Sequence, residues 1–183
     1  DGIRDWSVTG VQTCALPIYS GAEMALAVGT KLPNVTIHTK TEDSVEEINL
    51  LDWCGERRVV FFYVPGAFTQ TCTNTHLPGF VRLFDSFAKK AVDVVACISV
   101  NDAHVMKAWG AQVGALGKIV MLADSRAELA QALGVTRDFG PVLGERAKRC
   151  CFIADKGIII HSFIEEPGQL TGSSAEAILE ALQ

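Results

Sequence analysis

Residues 64–80 read VPGAFTQTCTNTHLPGF, and the rest of the chain is organised around them. The run before them, residues 59–63, is apolar without alternation, which predicts a central strand buried on both faces. An amphipathic run over residues 77–87 follows and predicts a helix. Cys72 falls in the first helical turn, where free N–H groups and the helix dipole favour an anionic sulfur. We therefore expect Cys72 to be a nucleophile that the fold holds in place.

The composition fits a globular protein and disfavours several classes of function. The chain has 183 residues, 49% of them hydrophobic, and a net charge of −5 without a basic stripe, so nucleic acid is not an expected partner. No apolar run approaches the roughly 18 residues of a membrane span, and a membrane is not expected either. The six cysteines form no Cys-x-x-Cys pair, so we expect no metal or other cofactor. Free thiols fit a reducing compartment, and the expected location is the cytoplasm.

The N-terminal segment differs in character from the rest of the chain. Residues 8–18 resemble a translated sequencing-library adaptor, and the resemblance extends over residues 1–22. We therefore interpret residues 1–23 as non-native or disordered and expect either that the natural protein begins at or near Met24 or that its true N-terminus has been lost. A single domain is expected over residues 24–183. Because the native N-terminus is uncertain, an organellar address stays open beside the cytoplasm.

Strand and helix patterns alternate along the remaining chain and end in a hairpin and a helix. The predicted strands cover residues 35–38, 57–64, 92–100, 118–123, 149–154 and 158–164. The predicted helices cover residues 48–53, 72–89 with a bend near Pro78, segments after 102 and after 125, and 174–182. Residues 41–47 and 137–144 are predicted as a turn and a loop. This order predicts an α/β sandwich with a mixed central sheet.

The motif Pro65-x-x-x-Thr69-x-x-Cys72 resembles the active-site motif of the peroxiredoxins, and the string over residues 64–80 resembles their type II, peroxiredoxin-5-like branch. The similarity continues through ACISVNDAHVMKAWG, LADS, RAKR and LTGSSAEAILEAL, so it covers the chain from about Ala27 to the C-terminus. The resemblance implies a thioredoxin-like three-layer sandwich. It also implies a thiol-dependent peroxidase that reduces hydrogen peroxide and alkyl hydroperoxides through a sulfenic acid, and a homodimer.

The resemblance also assigns roles to individual residues. Cys72 matches the peroxidatic cysteine, and Thr69 matches the hydroxyl that bonds the thiolate and the peroxide. Pro65 matches the proline that shields the site, and Arg149 matches the family's distant arginine, with Arg146 as the competing candidate. Elementary chemistry agrees, because the reaction needs a thiolate, a polarised O–O bond and stabilisation of the departing hydroxide. A helix N-terminus and a guanidinium supply positive potential for all three.

The means of reducing Cys72 is less well defined by the sequence. Residues 170–174 contain no cysteine where some animal relatives carry a resolving cysteine. Cys97 matches the second cysteine of plant-type members, but its strand looks buried, so it is only a possible second redox cysteine. We expect an external thiol, either glutathione with glutaredoxin or thioredoxin. Cys150 and Cys151 are adjacent on a strand, so one is expected in the core and the other could lie near the site.

Two other functions were weighed against the peroxidase. A non-enzymatic redox sensor or relay would form the sulfenic acid and pass the oxidation to a partner. A disulfide oxidoreductase of thioredoxin type is disfavoured, because residues 72–75 lack the second cysteine of the redox pair. His76, one turn after Cys72, is expected to pack or to hydrogen-bond locally rather than to act as a catalytic base.

Overall fold

The computed structural model describes residues 26–182, so the interpretation of residues 1–23 lies outside the described part of the chain. The described strands are β1 (Thr36–Lys40), β2 (Val45–Asn49), β3 (Arg58–Tyr63), β4 (Val94–Ser99), β5 (Ile119–Ala123), β6 (Thr136–Asp138), β7 (Glu145–Ala147), β8 (Cys150–Asp155) and β9 (Ile158–Ile164). The α-helices are α1 (Leu50–Cys54), α2 (Leu77–Lys89), α3 (Ala103–Val113), α4 (Glu128–Ala132) and α5 (Ala175–Ala181), and a π-helical turn (Cys72–His76) precedes α2.

Strand β3 lies inside a mixed seven-stranded sheet of order β2-β1-β5-β4-β3-β8-β9. It runs parallel to β4 and antiparallel to β8. Residues 59–63 are all fully buried, as the unbroken apolar run predicts for a central strand. The predicted mixed sheet is therefore confirmed, and β3 carries residues 64–80 out of its C-terminal end.

Helices cover both faces of the sheet and bury two separate hydrophobic clusters. One cluster joins Phe62 of β3 to apolar residues of α2, α3 and α5. The other joins Phe61, the preceding residue of β3, to α1 and α4. Because successive strand residues point to opposite faces, one apolar run supplies both clusters. The arrangement is the expected three-layer α/β sandwich.

Pro78 lies in the first turn of α2 rather than in a helix interior. The preceding turn is π-helical, and the N–H of Leu77 bonds back to the carbonyl of Cys72. Proline is tolerated at the start of an α-helix because the first N–H groups have no intrahelical partner. The predicted bend is therefore a change from a wide π-helical turn to a regular α-helix.

Two short strand pairs lie where the sequence predicts turns and loops. Strand β2 falls largely in the polar segment 41–47 and pairs with β1 at one edge of the sheet. Strands β6 and β7 form a separate hairpin that flanks the predicted loop 137–144. The predicted turn is therefore confined to residues 41–44 and the predicted loop to residues 139–144. The bounds were missed because these strands are short and largely solvated, so apolar alternation is weak. Within residues 26–182, no helix has the length and apolar character needed to cross a membrane.

Candidate active site

The loop between β3 and the π-helical turn is held by a network of backbone contacts. The N–H and the hydroxyl of Thr69 both donate to the carbonyl of Gly66, at 3.4 and 2.8 Å. The N–H of Ala67 donates to Asn101 Oδ1 at 2.9 Å, which fastens the loop to the end of β4. Phe68 has a φ of 62°, a left-handed conformation that is strained for a bulky side chain. These contacts fix the position of the Thr69 hydroxyl relative to the next turn.

Arg149 reaches the sulfur of Cys72 from the residue before β8. Its Nη2 donates to Cys72 Sγ at 3.5 Å, and the cysteine is fully buried. A guanidinium in this position stabilises negative charge on the sulfur. The competing Arg146 donates instead to the carbonyls of Leu143 and Pro65, at 2.7 and 3.4 Å. Arg146 therefore supports the loop from behind, while Arg149 contacts the nucleophile.

His76 orients Arg149 from the end of the π-helical turn. Arg149 Nη1 lies 2.8 Å from His76 Nδ1, and His76 Nε2 lies 2.9 Å from the carbonyl of Ser173. Burial, reinforced by the charge of Arg149, lowers the pKa of His76 to about 3. The ring is therefore neutral near pH 7, with Nδ1 accepting from Arg149 and Nε2–H donating to Ser173. His76 packs against Phe62 and Phe80, as expected of a packed side chain, while its hydrogen bonds go to residues distant in sequence rather than to local ones.

Glu165 organises the loop that supplies this carbonyl. Its carboxylate accepts from the N–H and hydroxyl groups of Thr171 and Ser173, at 2.6 to 2.9 Å. Desolvation raises the pKa of Glu165, but these hydrogen bonds outweigh it and lower the pKa below its usual range. The backbone N–H of Glu165 also donates to the carbonyl of Arg149 at 2.9 Å. Sequence reasoning missed Glu165, because an isolated acid after a strand gives no signal of this kind.

A cavity of about 210 Å³ opens beside these residues. Three of the residues that the sequence singled out, Pro65, Thr69 and Arg149, line it together. Cys72 is fully buried, is not part of this lining and is in contact with Arg149. The fold therefore brings three of the predicted residues to one cavity and joins the fourth, Cys72, to it through Arg149, which is 77 positions away in sequence.

The other cysteines near β3 lie in the core as free thiols. Cys97 and Cys151 are the partners of Phe62 on the two neighbouring strands, and both belong to the cluster that contains Cys72. Burial raises the pKa of the thiols of Cys97 and Cys151 well above the usual value. Cys150 points to the opposite face, where burial raises its pKa to about 12. The opposite orientations are as predicted, but both Cys150 and Cys151 are fully buried rather than one of them alone.

Comparison with known proteins identifies the family of the chain. The Redoxin family model matches residues 27–179. Peroxiredoxin-2E-2, chloroplastic, of Oryza sativa subsp. japonica is 42% identical over 164 residues, which cover 86% of this chain and 72% of the relative. Peroxiredoxin-2C of the same organism is 38% identical over 159 residues, which cover 86% of this chain and 98% of the relative. The chain is a type II peroxiredoxin.

Solved structures of other peroxiredoxins extend the comparison to the fold. Reduced Prx3 from Vibrio vulnificus in complex with h2o2 is 41% identical, with a TM-score of 0.84 over 86% of this chain and 99% of that chain. Peroxiredoxin 5 from Alvinella pompejana is 30% identical, with a TM-score of 0.74 over 85% of this chain and 97% of that chain. The predicted family, the thioredoxin-like fold and the thiol-dependent peroxidase activity of this peroxiredoxin are therefore confirmed. Its activity makes it an oxidoreductase rather than a non-enzymatic relay.

Proposed function

We propose that Cys72 is the peroxidatic cysteine of this enzyme and that Thr69, Arg149 and Pro65 complete its active site. One observation carries the proposal. A guanidinium nitrogen lies 3.5 Å from the sulfur of a cysteine at the start of a helical turn, beside a cavity lined by a hydroxyl and a proline. Positive potential at the sulfur and at the leaving oxygen is what peroxide reduction requires.

The reaction transfers one peroxide oxygen to the sulfur. The Cys72 thiolate attacks the terminal oxygen, so an S–O bond forms and the O–O bond breaks. Sulfur is oxidised to a sulfenic acid, and the leaving hydroxide or alkoxide takes a proton and departs as water or alcohol. Arg149 stabilises the charge that develops on the leaving oxygen.

Thr69 and Pro65 prepare the peroxide for this attack. Because the Thr69 hydroxyl donates to the carbonyl of Gly66, its lone pairs are free to accept the O–H of a peroxide. Pro65 has no N–H and contributes an apolar ring to the cavity wall, which keeps water away from the sulfur.

We propose that an external thiol, glutathione with glutaredoxin or thioredoxin, restores Cys72. One thiol displaces water from the sulfenic acid to give a mixed disulfide, and a second thiol releases the Cys72 thiolate as a disulfide leaves. Burial of Cys97 supports this route, because an internal disulfide with Cys97 would need movement of the backbone around both sulfurs. Since Cys72 is also fully buried, the external thiol reaches it only when the π-helical turn opens locally.

A peroxide-consumption assay with each donor tests the catalytic role and the recycling route. We expect turnover with at least one donor, complete loss in Cys72→Ser and retention in Cys97→Ser. Cys151→Ser is the matched control, because Cys151 occupies the equivalent position on the other side of Phe62. Loss of turnover in a well-folded Cys97→Ser protein, with Cys151→Ser active, would show that Cys97 is the resolving thiol and that the proposed route is wrong.

We further propose that the enzyme is a homodimer in the cytoplasm, with an organelle as the alternative compartment. The homodimer rests on the family alone, and sedimentation of the purified protein tests it. A relative whose name places it in the chloroplast supports the organellar alternative. Imaging of the natural full-length protein with a C-terminal tag distinguishes the two compartments.

A further inference from the structure

Two further cations stand at the cavity around the candidate active site. Arg137 of β6 and Lys148, which follows β7, line the same cavity as Arg149. The N–H of Lys148 donates to the carbonyl of Val135 at 2.7 Å, which fixes the backbone beside the hairpin. The guanidinium of Arg137 lies 5.3 Å from the centre of the Phe139 ring, a cation–π contact that holds the side chain toward the cavity residues. Neither cation has a role in the proposed attack on the peroxide.

Both cations are free to bind an anion. Among residues 26–182, the ion pairs within 4.0 Å involve other cations, namely Arg58, Arg82, Lys107, Arg126 and Lys156. Two carboxylates, Glu165 and Glu166, also line the cavity. The carboxylate of Glu165 is occupied by donors from Thr171 and Ser173, and Glu166 is exposed at the rim. Arg137 and Lys148 therefore line the cavity without a carboxylate partner within 4.0 Å in the described part of the chain.

Apolar groups line the cavity together with these cations and Arg149. Phe139, Leu143, Pro65 and Pro167 contribute to its lining. The volume of about 210 Å³ is below the roughly 300 Å³ at which pockets hold drug-sized ligands. Such a space accepts a compact molecule with an apolar stem and one anionic end, whereas a peptide thiol would not fit within it.

We propose that Arg137 and Lys148 form a carboxylate-binding subsite that selects organic hydroperoxides whose apolar stem ends in a carboxylate. This inference rests on the proposed role of Cys72. The hydroperoxide group lies at Cys72 and Arg149, and the carboxylate lies at the cavity mouth. The thiolate takes the terminal oxygen, the O–O bond breaks, and the alkoxide leaves as a hydroxy acid after it gains a proton. The thiol reductant restores the enzyme as for hydrogen peroxide.

The same carboxylate chemistry could come from an anionic reductant, and the size of the cavity favours the hydroperoxide. A peptide thiol exceeds a space of about 210 Å³, whereas a compact hydroperoxide with an apolar stem fits beside Arg137, Lys148 and Arg149. The selection should therefore appear in the oxidation of Cys72 and not in its reduction.

Rapid-mixing measurements of Cys72 oxidation test the subsite. Carboxy-substituted cumene hydroperoxide is compared with its methyl ester on the reduced full chain. We expect the carboxylate to react about tenfold faster, because two partly exposed ion pairs contribute at the upper end of surface-pair strength. The advantage should shrink as salt is raised. The doubly substituted R137Q/K148Q should lose most of it, and each single variant should lose part of it.

A matched control separates local binding from net charge. Lys89 and Lys118 lie at the opposite end of the sheet, at the last residue of α2 and just before β5. K89Q/K118Q removes the same two charges and should keep the full preference for the carboxylate. Glu166→Gln should increase the preference, because it removes the exposed carboxylate at the rim.

Measurements of carboxylate binding and of Cys72 reduction complete the test. Calorimetry on Cys72→Ser with the unreactive hydroxy acid should show about tenfold weaker binding in the R137Q/K148Q background. Equal rates for the acid and the ester together with unchanged binding would overturn the subsite while leaving the peroxidase role of Cys72 intact. A different result would be peroxide oxidation at a cysteine other than Cys72, together with weaker carboxylate binding in R137Q/K148Q. That result would overturn the role of Cys72 and would still support the carboxylate-binding subsite. If anionic thiols reduce oxidised Cys72 faster than neutral thiols, and the acid and ester hydroperoxides oxidise it equally fast, then Arg137 and Lys148 bind the reductant. That result would overturn the inference.

Discussion

At the scale of the residue, the site depends on the environment of a few polar atoms. Arg149 has two hydrogen-bonding roles, because Nη2 reaches Cys72 and Nη1 reaches His76. The neutral state of His76 is essential to this arrangement, since a protonated ring could not accept from a guanidinium. The low pKa of His76 therefore follows from the same burial that makes its bond to Arg149 possible.

Arg149→Ala tests whether the guanidinium activates the sulfur. We expect the rate of Cys72 oxidation by hydrogen peroxide to fall about 100-fold, the usual loss when one donor to a developing charge is removed. Arg146→Ala is the control, because Arg146 contacts the carbonyl of Pro65 and not the sulfur. Equal losses in the two variants would remove Arg149 from its proposed role.

At the scale of the element, short stretches of backbone decide where functional groups stand. The π-helical turn sets Cys72 ahead of Pro78, and the strained turn at Phe68 sets Thr69 beside the cavity. Another left-handed residue, Ala91, lies two residues after the end of α2 and far from the site. A left-handed conformation favours glycine after a helix and is costly for alanine.

Ala91→Gly should therefore stabilise the protein, although glycine is a poor helix former. We expect the free energy of unfolding to rise by about 1 kcal/mol, because glycine removes the cost of a left-handed alanine. Ala88→Gly, three residues earlier on the exposed surface of α2, should lower it by about 1 kcal/mol. Denaturant unfolding measures both changes in the free energy of unfolding. An increase for Ala91→Gly and a decrease for Ala88→Gly would support the left-handed conformation of Ala91. A destabilising Ala91→Gly would contradict it.

At the scale of the whole molecule, the site joins parts of the chain that are distant in sequence. The π-helical turn, the residue before β8 and the loop before α5 meet through Arg149, His76 and the carbonyl of Ser173. Because His76 is buried at this junction, its protonation opposes the packing of all three segments. Acid should therefore destabilise the entire fold through this one group.

His76→Gln tests this connection through the pH dependence of unfolding. The pKa of His76 is about 3 in the folded protein and 6.5 in its unperturbed state, so the unfolded chain binds the extra proton between these values. The free energy of unfolding should fall as pH decreases through this window, by at most about 1.4 kcal/mol per pH unit. Glutamine can accept from Arg149 and donate to Ser173 without titrating, so His76→Gln should show a shallower acid dependence.

His104→Gln is the control for this measurement, because His104 is exposed at the start of α3. It should keep the acid dependence of the parent protein. If His76→Gln also keeps that dependence, other groups cause the loss of stability in acid, and the proposed coupling through His76 is wrong.

The sequence alone determined the family, the central strand and the cysteine that follows it. These features are local: the apolar run over residues 59–63 requires burial, and the turn after it sets Cys72 at a helical start. The resemblance favoured Arg149 over Arg146, but only the tertiary structure shows which guanidinium contacts the sulfur. The residue before β8 meets the π-helical turn, while β7 places Arg146 beside the carbonyl of Pro65.

The partners of His76, the role of Glu165 and the cations at the cavity were also decided only by the fold. Each depends on contacts between segments that no local pattern connects, and Arg137 belongs to a three-residue strand too short to show periodicity. Local sequence can fix a strand, a turn and a nucleophile, because those follow from backbone preference and burial. The groups that surround the nucleophile come together only when the sheet brings distant residues to one place.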